Sequence, residues 1–439
     1  MDLHPGNRQL GWVLGKGRWN TRDNYSSSVT GGGVDILLTA NIKEPLLRGR
    51  HARLLHSLES HILLLIADKK LRVGERHLSP TNVAAFGQRR TVVAFGDLEY
   101  ELSFTNIDQS LYRAQLDQLS QFLNYQGDRP GIFVDPTPAE TDYMIMNKYF
   151  IRSSFTQGST CWMCAAVDKD TGASVAVKKI IAVSSSSLRH ARREIDAMKR
   201  LLSERPPITV SSLIDSVIIE PSTSSGATEC FIISQPLISG TLGQLLPSQS
   251  LPMTSRLLLF EQMLDGLAFL HAEGCMHRDI KPDNILASPS PIRAVIIDFG
   301  CATWETSSKD HMKGTIRYLA PEIIALKENT APLDTTYNIS ADVWSMGLTA
   351  YELLRGSRAR FQRISWKFYD EELLSTIGVT SALGSDEVKW AFALIKEMLR
   401  WDPKSRIESK EARQKCPTFK AESKQRLLPP GKRERGSRC

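Results

Sequence analysis

The stretch MHRDIKPDNIL, residues 276–286, carries the side chains from which the fold and chemistry of this chain are predicted. It presents a carboxylate at Asp279, an ammonium group at Lys281 and an amide at Asn284. A second carboxylate, Asp298, follows an apolar run in the segment IIDFG. Together these groups can accept a hydroxyl proton, neutralise phosphate charge and offer oxygen ligands to Mg²⁺. Taken singly, each is more often a turn, a cap or a solvated charge, so the prediction depends on their order and spacing.

In this order and spacing the residues resemble the catalytic motifs of eukaryotic protein kinases. The resemblance covers residues 146–417 and implies an α+β, bilobal fold, with a small mixed lobe followed by a larger helical lobe. It also implies ATP as substrate and Mg²⁺ as cofactor. By this resemblance Asp279 and Lys281 are catalytic, and Asn284 and Asp298 bind the metal.

The same resemblance assigns the residues that hold the nucleotide. The segment VAVKK places Lys178 on the third strand, at the phosphates, with Glu194 of the helix RREIDAM as its ion-pair partner. The segment FIISQPLISG is similar to the kinase hinge, where Ser234 is the gatekeeper. Gln235 and Leu237 would then offer backbone groups to adenine.

Three further positions follow from the family pattern. Glu322 closes the activation segment in GTIRYLAPE, and Arg406 resembles its buried partner. Asp342 resembles the aspartate that anchors the backbone of the catalytic loop. Lys281 points to serine or threonine acceptors, because this lysine bridges the acceptor and the γ-phosphate, and Thr315 agrees with that assignment.

Arg278 precedes the catalytic aspartate and needs an anion to pair with it. Kinases with this arginine often supply the anion by phosphorylating the activation segment. The segment CATWETSSKDHMKGT offers four candidate hydroxyl groups, at Thr303, Thr306, Ser307 and Ser308.

The segment FTQGSTCWMCAAVD, residues 155–168, falls where the family has its glycine-rich loop. The three family glycines correspond to Thr156, Gly158 and Cys161, so only Gly158 is kept. Gly158 and the adjacent Ser159 are predicted to contact ATP, and the two lost glycines predict looser binding. An alternative is a zinc half-site at Cys161 and Cys164, which would need two further ligands.

The amino-terminal half reads as short strands separated by Gly, Asn and Ser turns, which predicts a β-sandwich. Its segments resemble, in order, those of forkhead-associated domains, which bind phosphothreonine peptides. The resemblance assigns Arg18 to the phosphopeptide site and His51 to a structural role. Arg48 stands where the family has a phosphate-binding serine, and arginine can also bind phosphate.

Composition narrows the class of protein. The chain has 439 residues, a net charge of +7 and seven cysteines. The odd number of cysteines favours free thiols and therefore a reducing compartment, nuclear or cytoplasmic. No apolar run reaches membrane-helix length, so no membrane partner is expected. The basic tail lacks interleaved aromatic residues, so nucleic-acid binding ranks last. The predicted domains are a forkhead-associated-like sandwich at 1–107, a linker with a helix at 108–145, the kinase domain at 146–417 and a basic tail at 418–439.

The order of sandwich, linker and kinase resembles checkpoint-type kinases, in which the sandwich recruits phosphorylated partners and promotes self-association. The predicted function is therefore phosphorylation of serine and threonine hydroxyl groups on protein substrates in such a pathway. The alternative is a phosphoprotein-binding scaffold whose kinase domain is weak or inactive.

Overall fold

A computed structural model gives the architecture of the chain. It describes residues 12–16, 18–19, 33–34, 36–39, 47–48, 50–57, 60, 62–104, 110–111, 114–115, 117–118, 143–157, 161–221, 227–246, 251–358 and 385–417. The basic tail lies outside these residues, as do Tyr112, Leu116, Leu119 and Leu123, whose spacing in the sequence predicts one face of the linker helix. The chain divides into two compact units, residues 1–240 with 297–302, and residues 241–296 with 303–439.

The first unit begins with a β region of eleven described strands. They are β1 (Trp12–Lys16), β2 (Arg18–Trp19), β3 (Gly33–Val34), β4 (Ile36–Thr39), β5 (Ala52–His56), β6 (Leu63–Ala67), β7 (Leu71–Val73), β8 (Arg76–Leu78), β9 (Val83–Ala85), β10 (Arg90–Phe95) and β11 (Leu98–Ser103). One sheet has the order β4-β1-β5-β6-β9 and a second has the order β11-β10-β7-β8. Leu54 and Leu65 of the first sheet share a buried core with Val93 and Phe95 of the second. The two sheets therefore pack face to face, as alternation of apolar and polar residues predicts.

The rest of the first unit is a six-stranded sheet with one long helix. Its strands are β12 (Met144–Ile145), β13 (Tyr149–Gln157), β14 (Cys161–Asp168), β15 (Ser174–Ala182), β16 (Ser212–Ile219) and β17 (Thr228–Gln235), in the order β12-β13-β14-β15-β17-β16. The helix α1 (Ser185–Ser203) follows β15. Its buried residues, which include Ala191, Ile195, Met198 and Leu201, recur at helical spacing and form one apolar face.

The second unit is mainly helical, as the periodicity predicts. Its described helices are α2 (Leu242–Leu245), α3 (Met253–Ala272), α4 (Pro321–Lys327), α5 (Ser340–Arg355), α6 (Asp386–Met398) and α7 (Ser409–Lys415), with a hairpin of β18 (Ile285–Pro289) and β19 (Ile292–Ile296). Helix α5 is buried on every side from Ala341 to Leu354, which is typical of the central helix of a large core. Among the helices described, none combines the length and apolar character needed to cross a bilayer.

Candidate active site

Lys178 lies at the centre of a charged cluster in the first unit. It projects from β15, and its Nζ lies 2.7 and 2.8 Å from the two carboxylate oxygens of Glu194. The same Nζ lies 3.4 Å from Oδ1 of Asp298. Burial by itself would lower the pKa of Lys178, but the carboxylates of Glu194 and Asp298 outweigh it and raise that pKa above its ordinary value. Lys178 is therefore a fixed cation held between two carboxylates.

Helix α1 positions Glu194. The helix begins after Ser184, whose side chain accepts a hydrogen bond from the backbone N–H of Ser187, and Ser187 returns the bond in a capping box. Glu194 lies on the buried face of the helix, with a side chain 8% exposed. A carboxylate at such depth requires a cationic partner, and Lys178 supplies it, as the sequence predicts.

The loop that carries Asp298 belongs to the first unit. Asp298 has φ of 67°, in the left-handed region, and the next residue, Phe299, is buried. The carboxylate of Asp298 is 41% exposed, in contrast to that of Glu194. It can therefore accept a cation from solvent while keeping contact with Lys178.

The strands on either side of the glycine-rich segment are β13 and β14, but Gly158 and Ser159 lie outside the described residues. Cys164 is buried in an apolar cluster on one face of the sheet, whereas Cys161 is half-buried at the start of β14. The three-residue offset places the two side chains on opposite faces of a strand, which does not suit a shared metal. Burial raises the pKa of the Cys161 thiol, so it is neutral at physiological pH.

The predicted hinge follows β17. Gln235 is the last residue of that strand, and its backbone carbonyl accepts a hydrogen bond from the Ser211 hydroxyl at 3.4 Å. Leu237 is 6% exposed and belongs to an apolar cluster with Ala176 of β15. The hinge is therefore attached to the sheet that carries Lys178.

The catalytic loop forms a second charged cluster, within the other unit. Lys281 Nζ lies 2.8 Å from Asp279 Oδ2 and 2.8 Å from Thr315 Oγ1. The Thr315 hydroxyl donates to Asp279 Oδ1 at 2.8 Å, and Asn284 Nδ2 donates to the Asp279 backbone carbonyl at 2.9 Å. The structure thus brings together the four residues of this unit that were predicted as catalytic, metal-binding or acceptor-adjacent.

Asp342 at the start of α5 fixes the backbone of this loop. Its carboxylate accepts hydrogen bonds from the backbone N–H groups of His277 and Arg278, at 2.7 and 2.8 Å. His271 Nε2 lies 3.3 Å from Asp342 and its Nδ1 lies 2.8 Å from Ser409 Oγ. Burial would raise the pKa of Asp342, but these donors outweigh it and hold the pKa below its ordinary value. The bonds also stabilise Arg278, whose φ is 66°.

The activation segment already contains an anion for Arg278. Arg278 Nη1 lies 3.8 Å from Asp310 Oδ2, an acidic partner that the sequence did not single out. Among the candidate phosphorylation sites, Thr306 and Ser307 are exposed, and Thr303 is half-buried. Ser308 is 6% exposed and is paired through its backbone with Tyr337. Its hydroxyl is therefore the least accessible of the four.

The predicted pair that closes the activation segment is present. Arg406 contacts Glu322 through two parallel bonds of 2.6 Å, with side chains 0% and 8% exposed. Such a bidentate geometry is the strongest form of this ion pair. It ties the helix α4 to the chain before α7.

In the β region, His51 joins two loops that bear exposed cations. It is 2% exposed, its Nδ1 accepts from the Arg48 backbone N–H at 3.3 Å, and its Nε2 lies 2.9 Å from the Lys70 carbonyl. The exposed cations of the two loops are Arg48, Arg50, Lys69 and Lys70. The backbone of Arg18 is described as part of β2, but its side chain lies outside the described part of the chain.

Two contributions to the site were missed at the level of sequence, Asp310 and the pair formed by His271 with Ser409. Asp310 could have been predicted, because it is an acidic residue in the segment that is expected to supply an anion to Arg278. His271 and Ser409 are 138 positions apart, and their pairing could not have been predicted from the sequence, because it depends on how α3 and α7 pack.

Comparison with known proteins agrees with this geometry. The family model of the protein kinase domain matches residues 151–416, which is more than half of the chain. Mitogen-activated protein kinase 12 of Homo sapiens is 32% identical over 234 residues, which cover 52% of this chain and 60% of the relative. Mitogen-activated protein kinase HOG1 of Scheffersomyces stipitis is 32% identical over 219 residues, 49% of this chain and 52% of the relative.

Mitogen-activated protein kinase 13 of Mus musculus is 28% identical over 252 residues, 57% of this chain and 64% of the relative. The chain thus matches about half to two thirds of the length of these relatives. No forkhead-associated domain is detected in the β region. The family model covers more than half of the chain, and each charged cluster contains residues of the kinase motifs: this chain belongs to the protein kinase family.

Proposed function

We propose that the chain transfers the γ-phosphoryl group of ATP to serine and threonine hydroxyl groups of proteins. One observation carries the proposal. The Thr315 hydroxyl lies 2.8 Å from Asp279 Oδ1 and 2.8 Å from Lys281 Nζ. A threonine hydroxyl therefore lies between a carboxylate that can accept its proton and a cation that can neutralise phosphate charge, the arrangement that an acceptor substrate requires.

In this proposal Asp279 is the general base and Lys281 neutralises the charge that develops on the transferred group. Lys178, kept protonated by Glu194 and Asp298, binds the phosphates of ATP. Gln235 and Leu237 bind adenine through their backbone, and Gly158 and Ser159 contact the phosphates. Thr315 orders the end of the activation segment beside the base.

Asn284 and Asp298 are the residues we propose for Mg²⁺. Asp298 offers an accessible carboxylate and Asn284 an amide oxygen, and each is a ligand type that Mg²⁺ accepts. Asn284 Nδ2 donates to Asp279, so Oδ1 is the atom of this amide suited to a cation. When bound, Mg²⁺ neutralises phosphate charge.

The direct test is phosphoryl transfer by the full chain with labelled ATP, Mg²⁺ and a generic serine/threonine substrate. Asp279→Ala should reduce transfer by about a thousandfold, since a positioned base contributes on that order. Asp386→Asn is the matched control, because that carboxylate is fully exposed at the start of α6. Equal activity in the wild type and Asp279→Ala, or none in either, would support the scaffold and end the kinase proposal.

For the β region we propose binding of a phosphothreonine peptide at the loops that His51 joins. The support is the cluster of exposed cations there, which includes Arg48 and Lys69, and the bidentate binding that arginine offers to phosphate. Fluorescence anisotropy with a phosphothreonine peptide and its unphosphorylated form tests it. Arg48→Glu should abolish the difference between the two peptides, whereas Arg90→Glu, an exposed arginine on β10, should not. Equal binding of both peptides by the wild type would contradict the proposal.

The checkpoint-type pathway and self-association rest on the order of the β region and the kinase domain, and a nuclear or cytoplasmic location rests on the odd number of cysteines. They stay predictions, since the relatives named above are matched over only about half to two thirds of their own length.

A further inference from the structure

The β region and the six-stranded sheet of the first unit share an apolar cluster. From the β region it takes Ile62, Leu64 and Ala85, which are 0%, 7% and 7% exposed. From the sheet and hinge it takes Ala165, Val167, Ala176 and Leu237. Burial of these side chains removes apolar surface from water and is the main attraction between the two parts.

Polar contacts surround this cluster and fix its register. The Ala85 backbone N–H donates to the Lys169 carbonyl at 2.9 Å. Arg152 Nη2 donates to the Phe86 carbonyl at 2.8 Å. Arg76 Nη1 lies 2.6 Å from Asp170 Oδ1, in the turn between β14 and β15. The contact is therefore directional as well as apolar.

Two glycines show how closely the surfaces approach. A Cβ at Gly87 would lie 2.0 Å from the Phe150 ring of β13. A Cβ at Gly172 would lie 2.5 Å from the Leu64 side chain. Neither position has room for a methyl group, so the β region and the sheet are complementary in shape.

The cluster lies on the face of the sheet that carries Lys178. Ala176 and Lys178 are two positions apart on β15, so their side chains project to the same face. Their partners on β14 are Ala165 and Met163, respectively. Leu237, the hinge residue, packs in the same cluster. The β region therefore contacts the sheet on its nucleotide side.

We propose that the β region supports the nucleotide-binding face, so that ATP affinity depends on its being docked. The proposal rests on the assignment of Lys178 and Leu237 to ATP binding. Docking holds Ala176 and Leu237 in place, and withdrawal of Ile62 and Leu64 exposes them to water and frees the hinge. The β region thus acts as a regulator within the chain, and whatever displaces it lowers occupancy by ATP.

Gly87→Leu in the full chain tests the proposal, because the leucine side chain would clash with the Phe150 ring and separate the β region from the sheet. The matched control is Val92→Leu, in the same β region, because Val92 is exposed on β10 and lies outside the shared apolar cluster. We expect Gly87→Leu to raise the KM for ATP about fivefold with kcat nearly unchanged, the pattern of lost ground-state binding. Hydrogen exchange in residues 62–67 and 161–168 should rise with it. Val92→Leu should leave both unchanged.

Exchange of the charges of Arg76 and Asp170 is an independent test of the proposal. Arg76→Asp should raise the KM for ATP, and Arg76→Asp with Asp170→Arg should return it toward the wild-type value. A lower KM in either undocked variant would show that the β region masks the site, and an unchanged KM despite increased exchange would show no coupling. Either result overturns the proposal. If the wild type transfers no phosphoryl group, the kinase assignment fails instead, and binding of a fluorescent ATP analogue still measures the coupling.

Discussion

The two charged clusters of the kinase domain are assembled over different ranges of sequence. Lys178 and Asp298 are 120 positions apart, and a strand, a helix and a loop must pack before they meet Glu194. Asp279 and Asn284 are five positions apart, and Thr315 joins them from 36 positions beyond Asp279. The first cluster therefore depends on tertiary packing, whereas Asp279, Lys281 and Asn284 of the second lie in one loop, which Thr315 joins from the activation segment. Damage to the first should appear in ATP binding as well as turnover, and damage to the second in turnover alone.

Lys178→Met should have the largest effect. It removes the cation between two carboxylates and leaves Glu194 buried without a partner. We expect kcat/KM for ATP to fall by about a thousandfold, the scale of one lost charge-stabilising group. Steady-state kinetics measure it, and Lys179→Met is the control, because the adjacent lysine pairs with Glu229. Similar losses in both variants would indicate a general effect of β15 rather than a role for Lys178.

Asp342→Asn tests the residue that anchors the backbone of the catalytic loop, on which the second cluster depends. It should lower the free energy of unfolding by about 3 kcal/mol, since one partner of a buried ionic network is lost. The pKa of Asp342 is below its ordinary value of 3.8, so its stabilisation is full above that pH and is lost as the pH falls through the folded-state pKa. Urea unfolding at pH 7 and below pH 4 should show the difference between wild type and variant shrinking in acid. A constant difference would contradict this account.

Lys281→Met should reduce kcat by about a hundredfold while the KM for ATP changes little, because Lys281 contacts the base and acceptor hydroxyl. The informative quantity is the KM for ATP, compared between Lys281→Met and Lys178→Met by steady-state kinetics. A large rise in KM for ATP in Lys281→Met would mean that ATP binding is not confined to the cluster of Lys178.

The difference in range also explains what the sequence could predict. Asp279, Lys281 and Asn284 of the second cluster were predicted residue by residue, because one loop sets their spacing. Lys178 and Glu194 were predicted from two short motifs whose meeting follows from the family fold. The docking of Leu64 against Gly172 was not predicted, because it depends on the shapes of two surfaces far apart in sequence.

Asp310→Asn should have the smallest effect. The pair with Arg278 spans 3.8 Å, and the Asp310 side chain is 42% exposed, so solvent weakens it. We expect activity to fall about twofold to fivefold, the scale of a partly exposed ion pair. The assay uses phosphatase-treated protein, with Asp310→Glu to restore the charge. Asp334→Asn is the control, because that side chain is fully exposed.

The outcome separates two ways of ordering the catalytic loop. If Asp310 supplies the anion for Arg278, Thr306→Ala with Ser307→Ala keeps most of the activity of the phosphatase-treated chain, and Asp310→Asn loses more. If phosphorylation supplies it, the double alanine variant loses the activity gained on incubation with ATP, and Asp310→Asn behaves as wild type. The second result would mean that the local cluster is completed by modification rather than by the chain itself. The contact between Arg278 and Asp310 favours the first, because the charge of Arg278 is already partly balanced by an acid of its own activation segment.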